Sequence, residues 1–293
     1  MKNHRLSLSA AVILWSTSFP VIKWALFYTN PGPLLAVRFI IAGISALSLF
    51  AILQKPFPWH ILRKKEIWAM AISNAMGFAL QFFGQDLTTA SKAALIINSY
   101  VISVALVAPI FLKERINPPT GAGVIIGFIG AGIVSTGLNP SFMSKGSFVG
   151  DLMCVGAAMV YTIYIVISKR LIDSGWDVLE IAFGTMVLTA PLTLPFLFVG
   201  IGSFGWMTAG VGAYLGIFCS LIPFIFYIYS LRGISATASS VMLLGEVVLA
   251  VSWSFIFLRE RLGVAEWAGA ALVLSAILLV GLRGKENSDK MLS

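Results

Sequence analysis

Apolar and polar positions along this chain neither alternate nor share one helical face; they segregate into long runs. The first half carries five, at about Leu6 to Leu26, Gly32 to Leu53, Ile67 to Phe83, Thr89 to Leu112 and Pro118 to Leu138. The second half carries five more, at about Phe148 to Leu171, Val178 to Ile201, Trp206 to Leu231, Ala236 to Leu258 and Val264 to Leu282. Each run is near the ~20 residues that an α-helix needs to cross a ~30 Å hydrocarbon core. The pattern predicts ten transmembrane helices, spans 1 to 10. Barrel strands would instead give short alternating segments. The first run is long enough to span and lacks a convincing cleavage site, so it is expected to remain as span 1.

The second half restates the first. Phe111-Leu112-Lys113-Glu114-Arg115 closes the fourth run, and Phe257-Leu258-Arg259-Glu260-Arg261 closes the ninth, 146 residues later. The same offset pairs Lys23 with Lys169, Ala90 with Ala236, Gly123 with Gly269 and Val134 with Val280. Repetition at a fixed period marks a duplicated unit, here residues 1–138 and 148–283, followed by a polar tail, 284–293, expected to be disordered. An odd number of spans per unit forces the two units to insert upside down relative to each other. The predicted fold is therefore an all-α integral membrane protein with two inverted five-helix repeats, an architecture of secondary transporters.

Composition agrees. Only 11% of residues are charged, 58% are hydrophobic and the mean hydropathy is +0.94, far more apolar than a soluble domain. The net charge of +8 is expected to sit in cytoplasmic loops rather than to bind nucleic acid. With the N-terminus inside, Lys and Arg divide 14 inside to 5 outside, Arg38 set aside. This puts both termini in the cytoplasm and suits a cell (inner) membrane. Cys154 and Cys219 fall within apolar runs and read as small buried hydrophobes, while His4 and His60 lie outside the runs. No nucleophile with a base and no metal-ligand cluster emerges. The expectation is a transporter rather than an enzyme, with no cofactor or metal, a small-molecule substrate and the lipid bilayer as its surroundings.

Three stretches carry a family resemblance: Leu14-Trp15-Ser16-Thr17-Ser18-Phe19-Pro20, Leu35-Ala36-Val37-Arg38-Phe39, and the paired endings around Glu114 and Glu260. In this order they resemble the drug/metabolite transporter superfamily and its EamA-type members, which have ten helices in two repeats. The resemblance implies transport of small molecules, often export of amino acids or other metabolites. Many relatives carry Glu-Pro in span 9, whereas here Glu246 precedes Val247, so the resemblance gives no kink there. A nucleotide-sugar or phosphate-ester exchanger is the runner-up, but it would want several basic groups at mid-depth. A channel or scaffold is a third class.

Glu246 is the sharpest single residue, about ten residues or ~15 Å into span 9. A low dielectric penalises its charged form, which suits a carrier with protons as coupling ion; the alternative is a structural hydrogen bond between helices. A polar and aromatic set at similar depth comprises Trp15, Ser18, Asn74, Gln81, Asn98, Tyr100, Tyr161 and Tyr164. Such groups line a solvated cavity or bond between helices. Tyr100 and Glu246 are repeat mates, expected to approach each other across that cavity, with a hydroxyl-to-carboxylate bond as the consequence. Ser239, Met242 and Trp253 share the face of Glu246 by helical spacing, making Trp253 a further substrate-binding candidate. Arg38 lies five residues past Pro33 and reads as an interface anchor by snorkelling, or as an outer gate. Lys23 and Lys169 read as interfacial anchors, and the Glu114 and Glu260 motifs as turns. Gly123 and Gly127, four apart, predict close packing of span 5, within the chain or in a dimer.

Overall fold

The computed structural model describes residues 2–142, 147–199, 205–258 and 263–283. Among these, every regular element is helical. Span 1 is α1 (Lys2–Ser16) with α2 (Ser18–Ala25); spans 2 and 3 are α3 (Pro31–Ile52) and α4 (Lys65–Leu87). Span 4 is α5 (Ala90–Asn98) with α6 (Tyr100–Phe111), and span 5 is α7 (Pro118–Thr136). Spans 6 and 7 are α8 (Phe148–Asp173) and α9 (Val178–Thr193), the latter running into a 3-10 turn, Leu194–Phe198. Span 8 is α10 (Trp206–Gly216) and α11 (Ile222–Ser230) joined by a π-helical turn, Ile217–Leu221. Span 9 is α12 (Ala236–Leu243) with α13 (Gly245–Leu258), and span 10 is α14 (Val264–Arg283). Seven helices are long and apolar enough to cross a membrane; three shorter ones, Pro118–Val134, Ala236–Ala250 and Val264–Val280, complete the ten.

Polar residues between the runs set the helix ends. Asn117 Oδ1 accepts the Thr120 N–H at 2.9 Å with Pro118 in the first helical position. Asp177 Oδ1 accepts the Leu179 and Glu180 N–H groups, and Ser235 Oγ that of Ala238. Each satisfies donors that a helix start leaves unpaired. α7 ends on Gly137, whose φ of +57° belongs to the left-handed region that glycine enters without a Cβ penalty.

The packing itself carries the duplication. Spans 2 and 7 pack together, as do 5 and 10, and each of these is a pair of mates. Other contacts come in mirrored sets: 3 with 6 and 8 with 1, 2 with 8 and 7 with 3, 4 with 6 and 9 with 1. Glycine permits the closest crossings. A Cβ on Gly84 would lie 2.9 Å from the Gly150 carbonyl, and one on Gly150 2.9 Å from that of Gly84. Gly130 and Gly269 face each other in the same way, while Gly123 and Gly127 receive Val280 and Leu244. Gly123, Gly127 and Gly130 of span 5 thus serve packing within the chain.

Two sequence expectations change. Lys23 and Lys169 are not simple interfacial anchors. Lys23 Nζ donates to the carbonyls of Gln85, Asp86 and Thr88 at 3.0, 3.2 and 3.0 Å, and Lys169 Nζ to that of Leu231 at 2.9 Å and to Asp173 at 2.8 Å. Gln85 and Leu231 are themselves 146 apart, so mate lysines cap mate helix ends, where unpaired carbonyls and the helix dipole favour a cation. Glu114 is likewise more than a turn residue: its carboxylate accepts the N–H groups of Ala236 and Thr237 and the Thr237 hydroxyl, at 2.6, 3.3 and 3.1 Å, capping α12. Lys92, its ammonium 2.6 Å from Asp151, ties the start of span 4 to the start of span 6. Lys145, the Arg259-Glu260-Arg261 stretch and the tail at 284–293 lie outside the described residues.

Candidate functional site

Four irregularities gather at one depth. Span 1 breaks at Thr17, span 4 at Ser99, span 9 at Leu244, and span 8 passes through its π turn. Between them lies a cavity of about 90 Å³. Of its 17 lining residues, 14 form seven mate pairs at the 146 offset: Trp15 with Tyr161, Ser18 with Tyr164, Phe19 with Ile165, Phe78 with Phe224, Gln81 with Tyr227, Ile97 with Leu243, and Tyr100 with Glu246. The pseudo-two-fold axis therefore passes through the cavity. The three lining residues without a lining mate are Arg38, Asn74 and Asn98, all polar.

Hydrogen bonds fix much of the wall. The Tyr161 hydroxyl donates to Gln81 Oε1 at 2.6 Å, and its ring passes so close to Gly77 that a Cβ there would be 2.7 Å from it. Asn74 Nδ2 donates to Thr189 Oγ1 at 3.2 Å, linking spans 3 and 7. Asn98 Nδ2 donates to the Ala94 carbonyl at 2.9 Å, leaving its buried Oδ1 without a partner at the helix break. Trp15 Nε1 donates to the Cys219 carbonyl at 3.1 Å.

A family model for the EamA-like transporter family matches residues 6–136 and 148–282. The chain belongs to that family. Its similarity extends to an uncharacterized transporter of Archaeoglobus fulgidus, 28% identical over 93% of this chain and 96% of that one. A probable terminal-alkyne amino-acid exporter of Streptantibioticus cattleyicolor is 25% identical over 94% of this chain and 93% of its own length. A solved crystal structure, 18% identical, superposes with a TM-score of 0.81 over 98% of this chain and 99% of that one, which speaks to the fold. The chain is thus a membrane transporter of the EamA family, with a small-molecule substrate and the bilayer as its medium.

In this EamA transporter the cavity gathers Trp15, Ser18, Asn74, Gln81, Asn98, Tyr100, Tyr161, Tyr164 and Glu246 from five different spans. Trp253 is not among them. Its indole N–H donates to Ser16 Oγ at 2.9 Å, beside α1; on α13 it lies about two turns, ~10 Å, beyond Glu246 along the helix. Tyr100 and Glu246 do share the cavity, but among the described residues no hydrogen bond joins them, so the expected hydroxyl-to-carboxylate bond is not made.

Arg38 overturns its reading as an interface anchor. It is fully buried, its guanidinium carbon 4.2 Å from the centre of the Phe78 ring. Nε donates to Ser220 Oγ at 2.8 Å, Nη2 to the Cys219 carbonyl at 2.6 Å and Nη1 to Ser18 Oγ at 3.4 Å. The side chain turns inward because span 8 offers it acceptors that hydrocarbon lacks. Snorkelling loses to a buried polar seat. Arg38 and Glu246 thus bring a guanidinium and a carboxyl group to one cavity, one from each repeat.

Phe78, Phe224, Tyr227 and Ser220 were not among the sequence candidates. Two of them were within reach of the repeat arithmetic. Gln81 plus 146 gives Tyr227, Asn74 plus 146 gives Ser220, and Phe78 and Phe224 are each other's mates. An apolar ring at mid-depth has no signature of its own, but the offset supplies one once its partner is chosen.

Proposed function

We propose that this transporter is a secondary carrier that exports small zwitterionic metabolites, amino acids among them, by alternating access around the central cavity. The observation that carries the reading is the cavity on the pseudo-two-fold axis, lined by Arg38 from the first repeat and by Glu246 from the second. A site on that axis can be reached from either face when the two repeats exchange conformations. A guanidinium suits a carboxylate, and a carboxylate suits an ammonium group. The amino-acid exporter among the relatives supports the same class. A phosphate-ester exchanger fits less well, because a phosphate dianion would meet a single arginine with a carboxylate in the same cavity. Proton coupling through Glu246 and cytoplasmic termini complete the reading.

The test is counterflow in proteoliposomes preloaded with unlabelled amino acids. Saturable, transient accumulation of labelled leucine identifies a carrier. Linear, non-saturable flux identifies a channel, and no accumulation across the proteinogenic set overturns the substrate class.

A further inference from the structure

The seat that holds Arg38 is built into one half of the molecule only. In a regular α-helix the Cys219 carbonyl would accept the N–H of the residue four ahead, but that residue is Pro223, which has none. The π turn at Ile217–Leu221 absorbs the mismatch. The carbonyl then accepts Arg38 Nη2 at 2.6 Å and Trp15 Nε1 at 3.1 Å. Ser220 Oγ, on the same turn, donates to the Leu215 carbonyl at 3.0 Å and accepts Arg38 Nε at 2.8 Å. Two of the three guanidinium nitrogens are thereby held by span 8, while among the described residues Nη1 has only the 3.4 Å contact to Ser18, a cavity residue.

The mate of this seat is ordinary. Pro223 corresponds to Gly77 within the uninterrupted α4, Ser220 to Asn74 and Arg38 to Gly184. There the interhelical link is the neutral Asn74–Thr189 bond. Helix packing alone is thus met on the mate side without a charge, a π turn or a proline. The additional features at span 8 all converge on the orientation of one guanidinium.

We infer that Ser220, with the Cys219 carbonyl freed by Pro223, is a positioning residue that aims the remaining edge of Arg38 at the carboxylate of the substrate, so that the ligand lies with its carboxylate toward span 2 and its ammonium toward Glu246. This rests on the zwitterion reading above. Ser220 itself touches Arg38 and not the substrate.

The experiment measures binding of L-leucine and L-leucinamide to the purified full-length protein by calorimetric titration. The amide keeps the amine and removes the carboxylate charge. Wild type is expected to prefer leucine. Ser220→Ala is expected to lose about tenfold in leucine affinity, the scale of one hydrogen bond to a charged group, with leucinamide unchanged. Ser220→Thr, which retains the hydroxyl, restores leucine binding. Pro223→Ala, which returns an N–H to compete for the Cys219 carbonyl, follows Ser220→Ala and carries the same test if the alanine variant at 220 does not fold. Equal losses for both ligands, an unchanged leucine affinity, or failure of the threonine variant to rescue overturns the positioning role while leaving the substrate class intact. A wild-type protein that does not prefer leucine overturns the zwitterion reading, and this inference with it.

Discussion

At the scale of single residues, the cavity places two ionisable side chains where lipid would disfavour either alone. Glu246 is 8% exposed and Arg38 not at all. The proposed proton coupling through Glu246 would make flux depend on pH. Glu246→Gln keeps the shape and the hydrogen-bonding capacity but removes the titration, so the pH profile of transport in proteoliposomes is expected to flatten while the protein still folds. A wild-type profile in that variant makes Glu246 structural. Gly77 tests the opposite wall. A Cβ at 2.7 Å from the Tyr161 ring must push the ring away from Gln81, so Gly77→Ala is expected to weaken ligand binding severalfold at a cost of roughly 1–3 kcal/mol in stability. Thermal melting with and without ligand separates the two effects. Polar residues at mid-depth were legible because each demands a partner. Arg38 was misread because sequence depth alone cannot reveal that a neighbouring helix offers a carbonyl and a hydroxyl.

At the scale of helices, positions and lengths were legible from the runs, and Pro20 and Pro223 marked spans 1 and 8 as interrupted, but the breaks of spans 4 and 9 were not legible. No proline sits at Ser99 or Leu244, and without Glu-Pro in span 9 the resemblance implied no kink near Glu246. The break forms two residues earlier, where the Val247 N–H bonds the Leu244 carbonyl three residues back instead of four, a tight turn that local composition does not announce. Helix ends were also under-read: apparent anchors turn out to be caps. Glu114 satisfies two backbone donors and a hydroxyl at the start of α12. Glu114→Ala is expected to lower stability by about 1 kcal/mol, the typical worth of an N-cap, read as a fall in melting temperature that Glu114→Asp recovers in part. No recovery with aspartate would mean that reach, rather than charge at the helix start, sets the contribution.

At the scale of the whole molecule, the duplication was the most legible feature, since one offset of 146 residues orders the paired motifs, the mirrored helix contacts and seven of the cavity's residue pairs. Orientation follows from combining that offset with charge. Five spans per repeat oblige mate residues to sit at opposite faces, so Lys23 and Lys169, which cap mate helix ends, must lie on opposite sides of the bilayer. The division of basic residues, 14 to 5, supports the proposed orientation with the Lys169 side in the cytoplasm, because positively charged loops resist translocation. The loop carrying Lys55, Arg63, Lys64 and Lys65 shares that side, being separated from the Lys169 end by the three crossings of spans 3, 4 and 5 and the further crossing of span 6. A reporter fused after Lys64 is therefore expected to be active only as a cytoplasmic fusion, and one fused at Lys145 only as an exported fusion. Both reporters on one side would break the odd-span inversion on which the axis through the cavity depends. An exchanged pattern would keep the inversion and overturn the proposed orientation.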